Sequence, residues 1–216
     1  MVTLELFGHP FSSYTWKALI GLYEADIPFT FRDISGDKHP DNEAAFLAYW
    51  PAGKFPLLVD DGVPVMESSI IIEHVAPGLI PRDRGRAEEV RMLDRIFDNN
   101  VMTPMQAIVA EHLPFITHQP DSNRIARARS ALDKIYPWLD ERLAGRQWAA
   151  GDAFTLADCA AAPSLFYADW VHPIPDQFGT LANYRKRALA RHSVARVVDE
   201  ARPYRHLFPL GAPDRD

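Results

Sequence analysis

The spacing of apolar residues changes once along this chain of 216 residues, and that change limits the folds open to it. In the first third, short apolar runs alternate with polar and turn residues, which is typical of short strands and helices. Their order predicts a βαβ unit, then a helix, a hairpin and a last helix. Beyond it, apolar residues recur every three or four positions, which is the period of a helix. The sequence therefore predicts an α/β domain followed by an all-α domain.

A segment rich in proline and glycine separates the two regions. Residues 77–85 contain two prolines, two glycines and charges of both signs, a composition typical of a linker. We therefore expect residues 1–76 to form the first domain and residues 86–216 the second.

Two long helices and one helix cap stand out in the second region. Val90 to Met105 marks a long helix that Pro104 should kink, and Ile125 to Leu139 marks another. Thr155-Leu156-Ala157-Asp158 matches a capping box, in which both polar side chains bond to backbone N–H groups at a helix start. Cys159, the single cysteine, follows at once and fits a small buried residue.

A motif suited to an extended peptide ligand ends the first region. Lys54-Phe55-Pro56-Leu57-Leu58 places a proline at the head of an apolar run, and Glu67-Ser68-Ser69 closes the next strand. A cis Phe55–Pro56 bond would leave the N–H and C=O of Phe55 outside the sheet, free to pair with a ligand backbone. Ser68 would open a helix whose first N–H groups face an anion. The motif thus predicts backbone pairing, carboxylate binding and an acid for an amine at one site.

Upstream, a strand and a turn bring hydroxyl groups to the start of a helix. The strand from Thr3 to Phe7 breaks at Gly8-His9-Pro10-Phe11, and Ser12-Ser13 begins a segment with helical apolar spacing. A thiol held here would meet a hydroxyl donor and the positive end of a helix, and both favour thiolate over thiol. Ser12 fits a hydrogen-bond donor better than a nucleophile, because the sequence supplies no visible oriented base or oxyanion hole.

Together these motifs resemble the cytosolic glutathione transferase family over nearly the whole chain. The resemblance implies a thioredoxin-like βαβαββα domain followed by an all-helical domain. Ser12-Ser13-Tyr14-Thr15-Trp16-Lys17 is similar to a bacterial, serine-type active-site segment, most of all to that of the zeta class, which reads Ser-Ser-Cys-Ser-Trp-Arg. Tyr14 stands where that class has its cysteine, which argues against zeta-type isomerase activity.

The resemblance implies that bound glutathione is the nucleophile and that an apolar electrophile, as met in detoxification, is the second substrate. Ser12 is the first candidate for the hydrogen bond to the thiol, Ser13 the second and Tyr14 the third. The glutathione-binding residues implied are the Phe55 backbone with Pro56 for the cysteinyl unit, Glu67 and Ser68 for the γ-glutamyl end, and Lys54 with Lys38 or His39 for the glycyl carboxylate. Lys38 and His39 fit a solvated loop equally well.

The sequence leaves the second substrate open. Its pocket is expected between the domains, with Phe11, Tyr14, Met105, His112 and Phe115 as candidates. Two rival reactions would use the same thiolate: glutathione-dependent isomerisation of the maleylacetoacetate type, and disulfide reduction. A rival of another class is a non-catalytic glutathione-binding or interaction protein on the same fold.

Composition and charge exclude other classes of protein. The net charge of −6, with no long run of one sign, argues against a nucleic-acid partner. No apolar run approaches the roughly 18 residues of a membrane span, and the first residues lack the basic segment of a signal peptide. The eight histidines show no metal-ligand spacing, and one cysteine excludes an internal disulfide. We therefore expect a cytoplasmic protein without a metal.

The family resemblance also implies a homodimer. The first two long helices offer more apolar surface than one small bundle needs, so we expect them to form much of the interface. In that arrangement, Asp94 of the partner subunit or Asp98 of the partner subunit is expected to approach the γ-glutamyl amine.

Overall fold

A four-stranded sheet forms the centre of the N-terminal region in the computed structural model, which describes residues 4–36 and 39–216. Its strands are β1 (Leu4–Gly8), β2 (Thr30–Asp33), β3 (Leu57–Asp60) and β4 (Val63–Met66), in the order β2-β1-β3-β4. β1 and β2 are parallel, whereas β3 is antiparallel to both β1 and β4. Asp61 and Gly62, both at positive φ, form the tight turn of the predicted hairpin.

Three helices cover the two faces of this sheet. They are α1 (Ser13–Glu24), α2 (Pro40–Tyr49) and α3 (Ser68–Val75). Because side chains alternate along a strand, each face has its own apolar cluster. Leu6 and Leu58 belong to the main core with α1 and α3, whereas Phe7 and Leu57 pack with Phe46 of α2. The predicted thioredoxin-like βαβαββα arrangement is confirmed.

The rest of the described chain is helical, as the sequence predicted. The helices are α4 (Arg84–Ile96), α5 (Thr103–Ala110), α6 (Ser122–Arg142), α7 (Leu156–Val171), α8 (Gly179–Leu189) and α9 (His192–Ala201), with 3₁₀ turns at Pro77–Leu79 and Arg202–Leu207. Every residue of α7 is buried, so this helix is the centre of the second region. We propose that the boundary between the two domains lies between α3 and α4. No helix among the described residues is long and apolar enough to span a membrane.

The first long helix is interrupted one turn earlier than Pro104. A π-helical turn (Phe97–Met102) separates α4 from α5, and the Thr103 N–H reaches back five residues to the carbonyl of Asp98. Pro104 has no N–H and its ring excludes the carbonyl four residues before it. The helix therefore widens just ahead of the proline, and the wide turn places Asp98 and Asn99 beside residues of the N-terminal region.

The predicted capping box opens α7. The Asp158 carboxylate accepts hydrogen bonds from the Thr155 N–H (2.9 Å) and the Ala149 N–H (2.8 Å), and from the Tyr184 hydroxyl (2.6 Å). Burial raises the pKa of this carboxyl group, against the effect of its donors. Cys159 is buried, and burial also raises the pKa of its thiol, as fits a packing residue rather than a nucleophile.

A fully buried lysine joins the two regions. The Lys17 Nζ of α1 lies 2.5 Å from Asp94 Oδ1 and 2.7 Å from Asp98 Oδ2, and it donates a hydrogen bond to Ser69 Oγ of α3 (2.8 Å). The Arg95 guanidinium contacts both carboxylates from the solvent side. We call these five residues the ion cluster. The two positive charges of the ion cluster compensate its two negative charges. These charge pairs hold helices of both regions together.

We expect Lys17→Met to lower the free energy of unfolding by about 3–5 kcal/mol, because two buried carboxylates lose their central cation. Urea denaturation followed by circular dichroism measures this change. Lys134→Met is the matched control, since Lys134 is exposed on α6, and it should leave the midpoint nearly unchanged. Equal midpoints for the two variants would mean that Arg95 alone compensates both aspartates.

Candidate functional site

The turn between β1 and α1 presents two serines at the boundary of the two regions. Ser12 is the N-cap of α1, and its Oγ accepts the Thr15 N–H at 3.3 Å. Gly8, the last residue of β1, lets the strand pass close to the start of α1, because a Cβ there would lie only 2.6 Å from Thr15 Cγ2. A hydroxyl that accepts a bond still has its own proton to donate. Ser12 therefore keeps a donor available.

Ser13 is nearly buried and is held from the helical region. Gln106 Nε2 of α5 donates to Ser13 Oγ at 3.2 Å. The amide occupies a lone pair of the oxygen, so the Ser13 proton is likewise available. Sequence reasoning missed Gln106, because a glutamine on a helix gives no signal of the face on which it lies.

Two further hydrogen bonds fix the same turn. The Tyr167 hydroxyl of α7 donates to the Phe11 carbonyl at 3.0 Å, and Trp16 Nε1 donates to the Pro10 carbonyl at 2.8 Å. His9 Nδ1 accepts the Phe11 N–H at 3.1 Å, and burial lowers the pKa of His9. Because Nδ1 already accepts a hydrogen bond, the other ring nitrogen of the neutral imidazole carries the proton, so His9 has no free lone pair to accept a proton from Ser12.

Both serines line a cavity of about 560 Å³ between the turn, α5 and the C-terminal segment, which we call the apolar cavity. Phe11, Met105 and Phe115 of the predicted second-substrate set lie here. Sequence reasoning missed the other lining residues, which are His9, Phe55, Gln106, Val109, Ala110, Leu113, Ile116, Tyr167, Leu207, Phe208 and Pro209. Its size suits a small molecule, and most of its lining side chains are hydrophobic.

A second, smaller cavity of about 270 Å³ is lined in part by Lys54, Phe55, Pro56, Glu67 and Ser68 of the motif predicted to bind an extended peptide. We call it the polar cavity. Its lining residues are Tyr14, Trp50, Lys54, Phe55, Pro56, Glu67, Ser68, Arg95, Asp98 and Asn99. The Phe55–Pro56 bond is cis, as predicted. Phe55 precedes β3 and its side chain is 38% exposed. It borders both cavities, which therefore meet at this residue.

Glu67 and Ser68 begin α3 at the edge of the polar cavity. Glu67 occupies the N-cap position with φ of 69° and makes no side-chain cap bond. Its carbonyl accepts the Ile71 N–H, and Ser68 is the first helical residue. The Glu67 carboxylate is thus not used for capping, and the first N–H groups of the helix form a positive end beside it. An amine and a carboxylate of one ligand would both find partners here.

Tyr14 lies in the polar cavity and not in the apolar cavity, which differs from the expectation that it contacts the second substrate. Burial, with the nearby Asp98 carboxylate, raises the pKa of Tyr14 to about 12. Its hydroxyl therefore stays protonated near neutral pH and can donate a hydrogen bond.

Several other predicted residues lie elsewhere. His112 borders a hollow beside α6, and its Nδ1 bonds to the Ile108 carbonyl oxygen rather than facing the apolar cavity. His39 is exposed at the start of α2 and borders neither cavity. Lys38 lies outside the described residues. No cluster of metal-binding side chains occurs within residues 4–36 and 39–216.

Asp94 and Asp98, the two acids considered for a site shared between subunits, form ion pairs within their own chain. Both side chains are buried against Lys17 of their own chain, with 2% and 4% exposed. Asp98 instead borders the polar cavity of its own chain. Their charges are therefore compensated inside the chain, and an approach of Asp94 of the partner subunit or Asp98 of the partner subunit to the γ-glutamyl amine stays a prediction.

Comparisons with known proteins identify one family of similar proteins. Two family models match, "Glutathione S-transferase, N-terminal domain" over residues 6–77 and "Glutathione S-transferase, C-terminal domain" over residues 122–187. Glutathione S-transferase 4 of Zea mays is 28% identical over 185 residues, covering 80% of this chain and 83% of that protein. FtsZ-localized protein A of Caulobacter vibrioides is 27% identical over 187 residues, covering 81% of each.

The crystal structure of glutathione transferase F7 from Populus trichocarpa superposes with a TM-score of 0.79 at 21% identity, covering 92% of this chain and 99% of that one. At this identity the likeness shows the fold. Homologues of the chain are mostly phi-class and bacterial transferases and do not single out the zeta class. Because the two family models together match more than half of its residues, this chain belongs to the cytosolic glutathione transferase family.

Proposed function

We propose that this protein is a glutathione transferase that activates the thiol of bound glutathione for attack on an apolar electrophile. One observation carries the proposal: the polar and apolar cavities meet at Phe55, beside the two serine hydroxyls. A tripeptide lying in the polar cavity and paired with the Phe55 backbone would bring its central thiol to the apolar cavity. Membership of the family supports the same co-substrate.

The two ends of glutathione are matched by the ends of the polar cavity. The γ-glutamyl amine would meet the Glu67 carboxylate, and the adjacent carboxylate would meet Ser68 with the first N–H groups of α3. Lys54 is the cation for the glycyl carboxylate. His39 lies outside the cavity, so we assign it no role in this arrangement.

Thiol activation is then the chemical task of the turn. A free thiol with pKa about 8.5 is only a few per cent ionised at neutral pH, and each unit of lowering corresponds to about 1.4 kcal/mol. A hydrogen bond from Ser12, at the positive end of α1, favours the thiolate. Gln106 holds Ser13 in place as the second donor. The apolar cavity holds the electrophile next to the thiolate, so that proximity supplies the rest of the acceleration.

Two rival reactions on the same thiolate are isomerisation of the maleylacetoacetate type and disulfide reduction. The fate of glutathione distinguishes them, because it is consumed in transfer, returned in isomerisation and oxidised in reduction. The serine turn supports a bacterial, serine-type transferase. Tyr14, at the position of the zeta-class cysteine, weighs against the isomerase.

A non-catalytic interaction protein is the rival of another class. It is favoured by the likeness to FtsZ-localized protein A, whose name describes a localisation and not a reaction. The presence in one chain of a serine turn, a complete polar cavity and an apolar cavity favours an enzyme. Turnover of a panel of electrophiles with glutathione decides between the two. We place the enzyme in the cytoplasm, in detoxification, without a nucleic-acid or membrane partner.

We expect Ser12→Ala to lower kcat at least tenfold while the Kd for glutathione changes little, because a bond to the thiolate acts on reactivity and the peptide contacts supply affinity. Ser13→Ala should have a milder effect. Thiolate absorbance of bound glutathione, followed against pH, should show a higher thiol pKa in Ser12→Ala. An identical thiol pKa in the wild type and Ser12→Ala would assign the role to Ser13, Tyr14 or a backbone N–H.

We expect Glu67→Ala and Ser68→Ala each to weaken glutathione binding by about 1–3 kcal/mol, since charged ends of the ligand lose their partners. Calorimetric titration measures the Kd. Glu73→Ala is the control on the same helix, because Glu73 pairs with Arg91 on the outside. Unchanged affinity in both variants would place the γ-glutamyl site elsewhere.

We further propose that the protein is a homodimer in which α4 and α6 form much of the interface. Met92 of α4 and Trp138 of α6 are large apolar side chains that are 45% and 39% exposed. Sedimentation equilibrium at micromolar concentration should give twice the chain mass of 24.4 kDa. Met92→Asp should shift the mass towards the monomer, whereas Phe115→Asp, at the apolar cavity, should not. A monomeric wild type would exclude the dimer.

A further inference from the structure

A third cavity lies on the other side of the serine turn. It has a volume of about 560 Å³ and is enclosed by the end of α1, β2, α9 and the 3₁₀ turn after α9. Pro10 of the turn borders it, whereas His9 and Phe11 border the apolar cavity. The two cavities share no lining residue. The proposed transferase reaction makes no use of this space, which we call the aromatic cavity.

Its walls are aromatic and its floor is aliphatic. Tyr23, Phe29, Phe31 and Tyr204 provide the rings, and all four are partly exposed. The centroids of the Tyr23 and Phe29 rings are 5.8 Å apart. Buried leucine and valine side chains of α1 and α9 form the floor. A volume of this size with ring faces along its walls suits a small molecule with a flat apolar body.

An ion pair and a hydrogen bond hold one wall of the aromatic cavity in place. The Tyr23 hydroxyl donates to Glu200 at 2.6 Å, and Arg196 Nε donates to the same carboxylate at 2.9 Å. The Arg196 guanidinium also lies 3.9 Å from the centroid of the Tyr23 ring. The charges of Arg196 and Glu200 therefore compensate each other, and together they hold Tyr23 in place.

Two other carboxylates in the cavity, those of Asp26 and Asp33, make no direct ion pair with the described residues, although Arg196 lies within electrostatic range of Asp26. Within residues 4–36 and 39–216, the carboxylate of Asp33, at the end of β2, accepts hydrogen bonds only from neutral donors, the Ser35 N–H at 2.7 Å and the Tyr204 hydroxyl at 3.3 Å. Asp26 is exposed, and neither aspartate forms a salt bridge within the described part of the chain. The cavity thus has a net negative charge beside four aromatic rings. Both features attract a cation.

We propose that the aromatic cavity binds a small organic cation with a planar aromatic body, an aromatic amine in its protonated form. The rings would stack on the apolar body, and Asp26 and Asp33 would face the positive group. An anion of the same shape would meet two carboxylates and be disfavoured. This ligand is separate from the second substrate of the transferase reaction, whose cavity contains no carboxylate among its lining residues.

Calorimetric titration with a matched pair of probes tests the proposal. 9-Aminoacridine is a planar cation at neutral pH, and 9-anthracenecarboxylate has a similar three-ring body with the opposite charge. We expect one 9-aminoacridine to bind per chain, with an affinity at least tenfold higher than that of the anthracene acid. Equal affinities, or no binding of the acridine at millimolar concentration, would overturn the proposal.

Variants locate the binding. The double variant Asp26→Asn with Asp33→Asn keeps the shape of both side chains and should weaken acridine binding at least tenfold. Asp152→Asn removes an exposed charge outside the cavity, and Phe115→Ala changes the apolar cavity; both should bind as the wild type does. Circular dichroism confirms that the double variant is folded. If the double variant binds within twofold of the wild type, or if Phe115→Ala abolishes binding, the cation lies elsewhere. These binding titrations contain no glutathione, so their outcome does not depend on transferase activity. That activity is measured separately, and either proposal can fail without the other.

Discussion

The positive charge of Lys17 is the constraint on which the rest of this structure depends. A lysine with no exposed surface must be compensated by carboxylates, and both of them come from the other region of the chain. This requirement draws α4 and the π-helical turn against α1 and α3. Asp98 of that turn belongs to the ion cluster and also borders the polar cavity, with Asn99 beside it. The same electrostatic requirement therefore holds the two regions together and shapes one wall of the polar cavity.

The parts of the fold that local chemistry decides were predictable from sequence. The alternation of β1 to β4, the Asp61-Gly62 turn and the capping box at Thr155 each depend on residues close together in the chain. The contacts that complete the site depend on tertiary packing, and the sequence does not reveal them. Gln106 has no local signal that points to Ser13, and Lys17 on an amphipathic helix looks like a solvent-facing residue. Tyr14 was expected among the second-substrate residues because it follows the loop after the first strand, but the helical rotation of about 100° per residue turns it to the polar cavity.

The polar and the apolar cavity differ in the chemical character of their lining residues and in the elements that build them. The polar cavity is built from α1, the Phe55 segment, α3 and the π-helical turn, and the ion cluster connects α1, α3 and the π-helical turn. The outer wall of the apolar cavity is built instead from residues 113–116, after α5, and residues 207–209, at the end of the last 3₁₀ turn. Phe115 is 82% exposed. The shape of the apolar cavity can therefore change through surface segments while the residues of the polar cavity stay in place.

The hydrogen bond from Tyr167 to the Phe11 carbonyl links the serine turn to the most deeply buried helix of the protein. An active-site turn is usually among the parts of a protein that open first, independently of the core. Here the turn cannot detach without breaking a bond to α7, whose side chains form the centre of the helical region. The position of the serine turn is thereby coupled to the packing of α7, so we expect heat to displace this turn together with the helical core rather than before it.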